Sequence, residues 1–280
     1  MIALLQASKG AFRHRAAVIG AGFIAILVLA TLIVPLLVGY DANQISDDLM
    51  VAPLSAGHPL GTDQLGRDVL VRLAVGIRLS LLVGVAAALT AAVVGILVGS
   101  LAGYYGGLLD SALMRVCEFF QIIPAFVMAA LIVALAGPGL TRTIVVIALL
   151  AWPQAARIMR GQVLKLRGSL YVDSARCLGI SERRLLWYEV APNSGGPVLA
   201  LIPLIVGQSI LLQAALSYLG LGNPDEVSWG GMLADSQQTG FAAWWLAVLP
   251  GAAIVATVVA FNLVGDGLAR IWNPREVVVL

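Results

Sequence analysis

Several charged and hydrogen-bonding side chains of this sequence fall in one short stretch, HPLGTDQLGRD, at residues 58–68. An imidazole, carboxylates and a guanidinium this close together could pair with one another and order a loop, or they could contact a partner protein. The glycines between them favour tight turns. The candidate residues of this motif are His58, Gly61, Thr62, Asp63, Gly66, Arg67 and Asp68.

A second charged stretch, YVDSARCLGISERRLLWY at residues 171–188, lies between two very apolar regions. Charged and apolar residues alternate there at helical spacing, and Gly179 interrupts the pattern. Ser181, with Glu182 in the following turn, predicts the start of another short helix. We therefore expect two short amphipathic helices that meet at Gly179 and either lie on a membrane surface or dock in a groove of another protein.

Motifs for catalysis are absent from the sequence. A phosphate-binding loop of the form GxxxxGK[ST] needs a lysine after glycine, and the only lysines, Lys9 and Lys165, follow serine and leucine. GxSxG and HExxH are also missing, and Cys117 and Cys177 lack the spacing of a zinc site. The balance of 17 basic against 15 acidic residues gives no reason to expect nucleic-acid binding. We expect no active site, cofactor or metal site in this chain.

The composition is that of an integral membrane protein. Of the 280 residues, 60% are hydrophobic and 11% are charged, whereas an ordinary soluble domain has about 25% charged residues. A helix needs about 20 mostly apolar residues to cross a bilayer. The uncharged windows are 16–40, 79–109, 119–141, 143–156, 190–224 and 236–265; the fourth is short but is extended by the apolar residues Ile158 and Met159. They predict an all-α protein with six transmembrane helices.

The basic residues orient these spans. If the N-terminus is cytoplasmic, only Arg67, Arg72, Arg78 and Arg142 of the 17 basic residues fall on the outer side. Because cytoplasmic loops carry an excess of Lys and Arg, this distribution predicts that both termini and the 171–188 stretch are cytoplasmic.

Polarity within the predicted spans comes from uncharged side chains. Proton- and sodium-driven carriers usually keep an ionisable residue at membrane depth, so the lack of mid-span charges argues against such a carrier. In span five, polar residues recur every four positions and form one stripe. They either line a water-filled path or hold helices together by hydrogen bonds, and the sequence leaves both open. The candidate pathway residues are Gln208, Ser209, Gln213 and Ser217; Gln121 and Gln154 supply polarity in spans three and four.

Glycines recur every four residues in span two, at Gly95, Gly99, Gly103 and Gly107. This spacing places them on one helix face. Small residues on one face let a second helix approach closely, so we predict a packing surface.

Four stretches together resemble one family of membrane transport subunits. HPLGTDQLGRD resembles the HxxGTDxxGRD signature of the C-type permease subunits of dipeptide, oligopeptide and nickel ABC importers. Residues 173–179, DSARCLG, are similar to the EAAxxxG loop of ABC-importer permeases. SYLGLGNPDEVSWGGMLAD at 217–235, and FNLVGDGL at 261–268 with NPR at 273–275, match the same subfamily.

The sequence departs from the family pattern at a few positions. Asp173 replaces the family's Glu and Ser174 its first Ala. Glu189 stands where many members have His, ahead of an LPN that here reads Ala-Pro-Asn. Asp173 keeps the negative charge on a shorter side chain, so we expect this loop still to dock on its partner protein.

The resemblance implies a type I ABC-importer permease fold with cytoplasmic coupling helices in a bacterial inner membrane. It implies a homologous second permease subunit, two ATPase subunits that bind ATP and Mg, and an extracytoplasmic substrate-binding protein as partners. The ATPase-coupling residues would be Asp173, Ser174, Ala175, Leu178 and Gly179. The expected organisation is an N-terminus with the first span (1–40), an external loop (41–78), a five-helix core (79–272) with the coupling loop at about 161–192, and a tail (273–280).

The substrate is the open question at this stage. A neutral path lined by Gln and Ser suits short peptides, whose amides need hydrogen bonds without strongly trapping charges. A nickel or metal-chelate importer is the alternative, because a complexed metal needs no ligands in this chain. A non-transporting scaffold and a secondary carrier are the remaining hypotheses.

Overall fold

The computed structural model describes residues 15–38, 41–223 and 225–272, and the regular structure of these ranges is helical. The basic residues before position 15 and the NPR at 273–275 lie outside the described residues. The helices are α1 Arg15–Val38, α2 Val69–Tyr105, α3 Gly107–Ile122, α4 Ala125–Ala136, α5 Leu140–Arg167, α6 Leu170–Cys177, α7 Glu182–Arg184, α8 Ala191–Ser194, α9 Gly196–Tyr218, α10 Trp229–Ser236 and α11 Trp245–Trp272. A π-helical segment, Leu185–Val190, joins α7 to α8, and a 3-10 turn, Gly240–Ala243, precedes α11.

Four helices of the described chain, α2, α5, α9 and α11, are long and apolar enough to cross a membrane. Helices α3 and α4 form a fifth candidate span that is bent by 86°. The bend lies at Ile123 and Pro124 because the residue before a proline is disfavoured in the helical region, and Ile123 is extended. Helix α1, 24 residues long, covers residues 16–38 of the first predicted window, 16–40. The predicted all-α architecture is confirmed, and the six-span count is consistent with it.

Helix α2 runs the length of the bundle and connects its two ends. It begins at Val69 rather than at residue 79, because Asp68 caps it: Oδ1 of Asp68 accepts a hydrogen bond from the Val71 amide at 3.1 Å. We call the end that holds residues 41–68 and 219–244 the His58 end, and the end that holds residues 168–195 the Asp173 end.

The glycine face of α2 packs against α5. A Cβ atom on Gly95 would lie 2.4 Å from Cβ of Ala155, and one on Gly99 would lie 2.4 Å from the Ala156 carbonyl oxygen. Gly103 is similarly close to α5. The predicted packing surface is therefore observed for these three glycines.

Gly107 does not belong to this face, contrary to the expectation from spacing. Helix α2 ends at Tyr105, and Gly106 and Gly107 have φ of +68° and +59°. The left-handed conformation of these two residues turns the chain into α3. The Gly107 Cβ position has no neighbour within 4 Å.

Candidate functional site

Four charged residues meet at the His58 end, and we call them the clamp: Asp63, Arg67, Arg72 and Asp235. Oδ2 of Asp63 accepts hydrogen bonds from Nε of Arg67 and Nη1 of Arg72, each at 2.6 Å. Oδ2 of Asp235 accepts from Nη2 of Arg67 at 3.0 Å and from Nη2 of Arg72 at 3.1 Å. Asp63 and Arg72 are buried. The clamp joins the loop before α2 to the end of α10.

His58 forms a second ionic contact in the same motif. Its Nδ1 lies 2.8 Å from Oδ2 of Asp68, the residue that caps α2, and its Nε2 lies 3.4 Å from a carboxylate oxygen of Asp48. The hydrogen bond with Asp68 raises the pKa of His58 above its usual 6.5, and the contact with Asp48 adds to this effect. The imidazole therefore connects Asp48, early in the loop before α2, to Asp68, the residue that caps this helix.

The uncharged residues of the motif shape the loop from within. Gly61 and Gly66 have φ of +80° and +71°, and a Cβ on Gly66 would lie 2.2 Å from the Ser46 carbonyl oxygen. The hydroxyl of Thr62, which is fully buried, accepts from the Val51 amide at 2.8 Å. The motif thus makes the internal contacts that one of the two sequence interpretations predicts, while contact with a partner protein stays a prediction.

Helix α6, at the Asp173 end, is anchored on one side and exposed on the other. Val172 is fully buried, and Ala175 packs against the core. Leu170 and Leu178 are 86% and 83% exposed, and Tyr188 of the π-helical segment is 75% exposed. These exposed apolar side chains make this end a candidate contact surface.

The charged residues of this end form one connected group. Arg176 donates to Oδ1 of Asp173 and to Oε1 of Glu182, each at 2.8 Å. The other Glu182 oxygen accepts from the hydroxyl of Tyr104, in the last turn of α2. The hydrogen bond between Arg176 and Glu182 lowers the pKa of Glu182 and raises the pKa of Arg176. Helix α6 is therefore connected to α7 and, through Glu182, to α2.

Gly179 makes the turn between α6 and α7 that the sequence predicts. Its φ is +81°, and the position of a Cβ atom would be open. Glu182 begins α7 as expected, and Ser181 occupies the N-cap position, although its side chain makes no capping hydrogen bond. Asp173 and Ser174 are exposed beside this turn.

The polar stripe of α9 divides into two parts. Nε2 of Gln213 donates to Oγ of Ser217 at 3.0 Å, one turn further along α9, and both residues are buried in the bundle. Gln208 and Ser209 instead line a cavity of about 730 Å³. The four candidates are therefore not brought together on one surface.

Sequence reasoning missed several members of these groups. Arg72 and Asp235 complete the clamp, and Tyr104 completes the group around Glu182. The available signal for Asp235 was its position at the end of one of the family-like stretches, where no basic residue lies nearby in the sequence to pair with it. Tyr104 offered no signal, because an aromatic residue at the end of an apolar helix is common.

The helical fold agrees with the protein families that this sequence matches. Residues 95–278 match the family model of the binding-protein-dependent transport system inner membrane component. Residues 7–55 match the N-terminal TM domain of oligopeptide transport permease C. The chain belongs to the family of binding-protein-dependent transport system inner membrane components, the permease subunits of ABC importers, which carry no ATPase site of their own. The resemblance inferred from the motifs is thereby confirmed.

Curated relatives match nearly the whole chain. The oligopeptide transport system permease protein OppC of Escherichia coli (strain K12) is 38% identical over 277 residues, which cover 98% of this chain and 92% of the relative. The glutathione transport system permease protein GsiD of Pectobacterium atrosepticum is 35% identical over 265 residues, which cover 94% and 88%. Among solved structures, the inward-facing MetNI methionine ABC transporter aligns with a TM-score of 0.56 and 17% identity, covering 72% of this chain and 96% of that chain. This last likeness concerns the fold alone.

Proposed function

We propose that this chain is a translocation subunit of an ATP-driven importer that moves di- or oligopeptides across the bacterial inner membrane. The observation that carries the proposal is the similarity over nearly the full chain to permeases named for oligopeptide and glutathione transport. A homologous second permease subunit, two ATPase subunits that bind ATP and Mg, and an external binding protein would complete the complex. The bilayer lipid surrounds the remaining helix surface.

The Asp173 end is the proposed docking site for an ATPase subunit. The exposed leucines at the two ends of α6, Leu170 and Leu178, supply apolar contact area. Asp173 supplies a charge beside the turn at Gly179. The hydrogen bonds from Arg176 to Glu182 and from Tyr104 to Glu182 connect the proposed docking site to α2. A displacement of α6 by the ATPases would therefore reach a helix that runs to the other end of the bundle.

The orientation follows from the same assignment. ATPases are cytoplasmic, so the Asp173 end and both termini would lie inside, in agreement with the distribution of basic residues. The His58 end would then face the binding protein. The clamp holds the loop of residues 41–68 and the start of the 236–244 segment in one arrangement, and this preformed surface would receive the partner.

Uptake by cells tests the substrate. Cells that lack this chain, and the same cells with it restored, are given a labelled dipeptide, or labelled nickel with and without a chelator. Loss and recovery of dipeptide uptake alone is the expected result. Loss and recovery of nickel uptake alone would refute peptide import and assign the chain to metal or metal-chelate transport.

Two variants test the coupling role. Asp173→Lys reverses a charge in the proposed contact, and Gly179→Leu places a Cβ where φ is +81°, which is strained for any residue but glycine. Both are expected to reach the membrane and to lose most peptide uptake while the ATPases still hydrolyse ATP. The matched control is Gly168→Leu, because Gly168 also has an open Cβ position in this loop but a φ of −97°. Normal uptake by both variants would contradict the docking role.

A further inference from the structure

Three glutamines from three different helices line one cavity that is open at the surface of the described chain, where Gln121 and Gln208 are exposed. Gln121 belongs to α3, Gln154 to α5 and Gln208 to α9, and the cavity has a volume of about 730 Å³. The rest of its wall is mostly apolar and includes Phe126 and Leu212. An apolar cavity with a few convergent polar groups is the usual form of a small-ligand site.

A fourth polar group in the wall has no partner in the described part of the chain. Ser209 is 2% exposed, and its Oγ makes no hydrogen bond to the described residues. A helical serine commonly bonds the carbonyl one turn earlier, and a buried hydroxyl without any partner is unfavourable. The Ser209 hydroxyl is therefore a buried polar group beside the cavity whose hydrogen-bonding capacity the described residues leave unused.

The helices are irregular where they border the cavity. The residue after Gln121 ends α3, and the bent span resumes with α4 at Ala125, which also lines the wall. Gln154 follows Pro153, which lacks the amide proton that would bond the carbonyl one turn earlier. Broken and proline-interrupted helices are typical of substrate sites in membrane transporters, where irregular backbone borders a cavity rather than lipid.

The chemistry of the wall selects one class of ligand group. Within the described residues the lining carries no charged side chain, so an ionic substrate would have no fixed counter-charge. A carboxamide both donates and accepts hydrogen bonds, which is the complement of a peptide main-chain amide. We propose that Gln121, Gln154, Gln208 and Ser209 form a subsite that hydrogen bonds the main-chain amides of a peptide in transit. This inference rests on the proposed function and names the groups of the substrate that the path contacts.

An amide-to-ester exchange in the substrate tests the subsite. The complete complex, with the second permease, the ATPases and the binding protein, is reconstituted in vesicles, and uptake of a tripeptide is compared with uptake of its ester analogue, which lacks one N–H donor. The wild type is compared with Gln121→Leu, Gln154→Leu and Gln208→Leu. Because one net hydrogen bond corresponds to about a 2- to 10-fold preference, we expect the amide-to-ester uptake ratio to fall by about that factor in at least one variant.

The amide-to-ester uptake ratio distinguishes a loss of substrate recognition from a loss of folding or assembly. A variant that merely folds or assembles poorly takes up both substrates less and leaves the ratio unchanged, and the binding protein's own preference is common to all samples. Gln154→Asn, which keeps a carboxamide, should retain part of the wild-type preference for the amide over the ester. Thr90→Val, a polar-to-apolar exchange of the same shape at an exposed position of α2 outside the cavity, should retain all of it.

The outcomes distinguish the two proposals. If the wild type takes up no peptide, peptide import fails and the subsite fails with it. If the wild type takes up the tripeptide and all three leucine variants keep the wild-type ratio, peptide import stands and the subsite alone is refuted.

Discussion

Arg72 and Asp235 lie 163 positions apart in the sequence and meet in the folded chain, where Nη2 of Arg72 donates to Oδ2 of Asp235 at 3.1 Å. The same guanidinium holds Asp63 through Nη1 at 2.6 Å. Two family-like stretches from opposite halves of the chain therefore share one buried arginine. Each stretch contributes one carboxylate to this guanidinium, Asp63 from the loop before α2 and Asp235 from α10.

Removal of Arg72 is expected to destabilise the protein strongly. Arg72→Met leaves the buried carboxylate of Asp63 with one cation fewer, and breaking a buried ion pair from one side costs about 3–5 kcal/mol. Thermal unfolding of the detergent-purified protein should show a markedly lower midpoint. Arg115→Met, which breaks an exposed pair with Glu118, is the control and should change the stability by less than about 1 kcal/mol. Equal effects of the two substitutions would contradict the clamp.

Glycine substitutions should separate the packing face of α2 from open glycines elsewhere. Gly99→Ala places a methyl group 2.4 Å from the Ala156 carbonyl oxygen, so the helices must separate, at about 1–3 kcal/mol. Gly161→Ala, at an open position of α5, should be neutral or stabilising by up to about 1 kcal/mol. Thermal midpoints of the two variants give the comparison, and a stable Gly99→Ala protein would show that α2 and α5 are not so close.

The native cysteines allow the orientation to be measured without engineering. Cys177 is exposed on α6, whereas Cys117 is buried. A membrane-impermeant maleimide should label the chain in inside-out vesicles and not in right-side-out vesicles, and Cys177→Ser should abolish the signal. Bound ATPase subunits should slow the reaction, because the proposed docking surface includes this helix. Labelling from the outer side would reverse the assigned topology.

The pH dependence of stability should report on His58. Its pairing with Asp68 raises the folded-state pKa above the unfolded value of about 6.5. The stabilisation by the imidazolium is therefore fully present below about pH 6.5 and is lost as the pH rises through the raised pKa. The difference in thermal midpoint between the wild type and His58→Gln should be largest at acidic pH and should shrink under alkaline conditions. A difference that grows with pH would mean that the neutral imidazole is the favoured form.

Local patterns in the sequence predicted several elements well. The glycine at position 179, with a capping residue and an acidic residue behind it, predicted a turn between two short helices, because such signals depend on the backbone of neighbouring residues alone. Gly95, Gly99 and Gly103 predicted a packing face because residues four positions apart lie on the same side of a helix. Gly107 followed the same spacing but lies past the helix end, and periodicity by itself does not reveal where a helix stops.

Local sequence patterns did not predict which residues from distant parts of the chain contact one another. The spacing of Ser209, Gln213 and Ser217 describes one face of α9 but not which helix covers each part of that face. In the structure Gln213 is hydrogen bonded to Ser217 of the same helix, while Gln208 and Ser209 line a cavity together with Gln121 and Gln154. This division depends on how four helices pack together, including the 86° bend between α3 and α4.

The sequence by itself determined that this is a helical membrane protein of the ABC-importer permease family, because span length, charge asymmetry and ordered motifs are properties of the linear chain. Only the tertiary structure decided that Arg72 bridges Asp63 to Asp235, that Tyr104 reaches Glu182, and that three glutamines share one cavity. Each of these contacts joins residues distant in sequence, and their distances are set by the packing of whole helices rather than by local conformation.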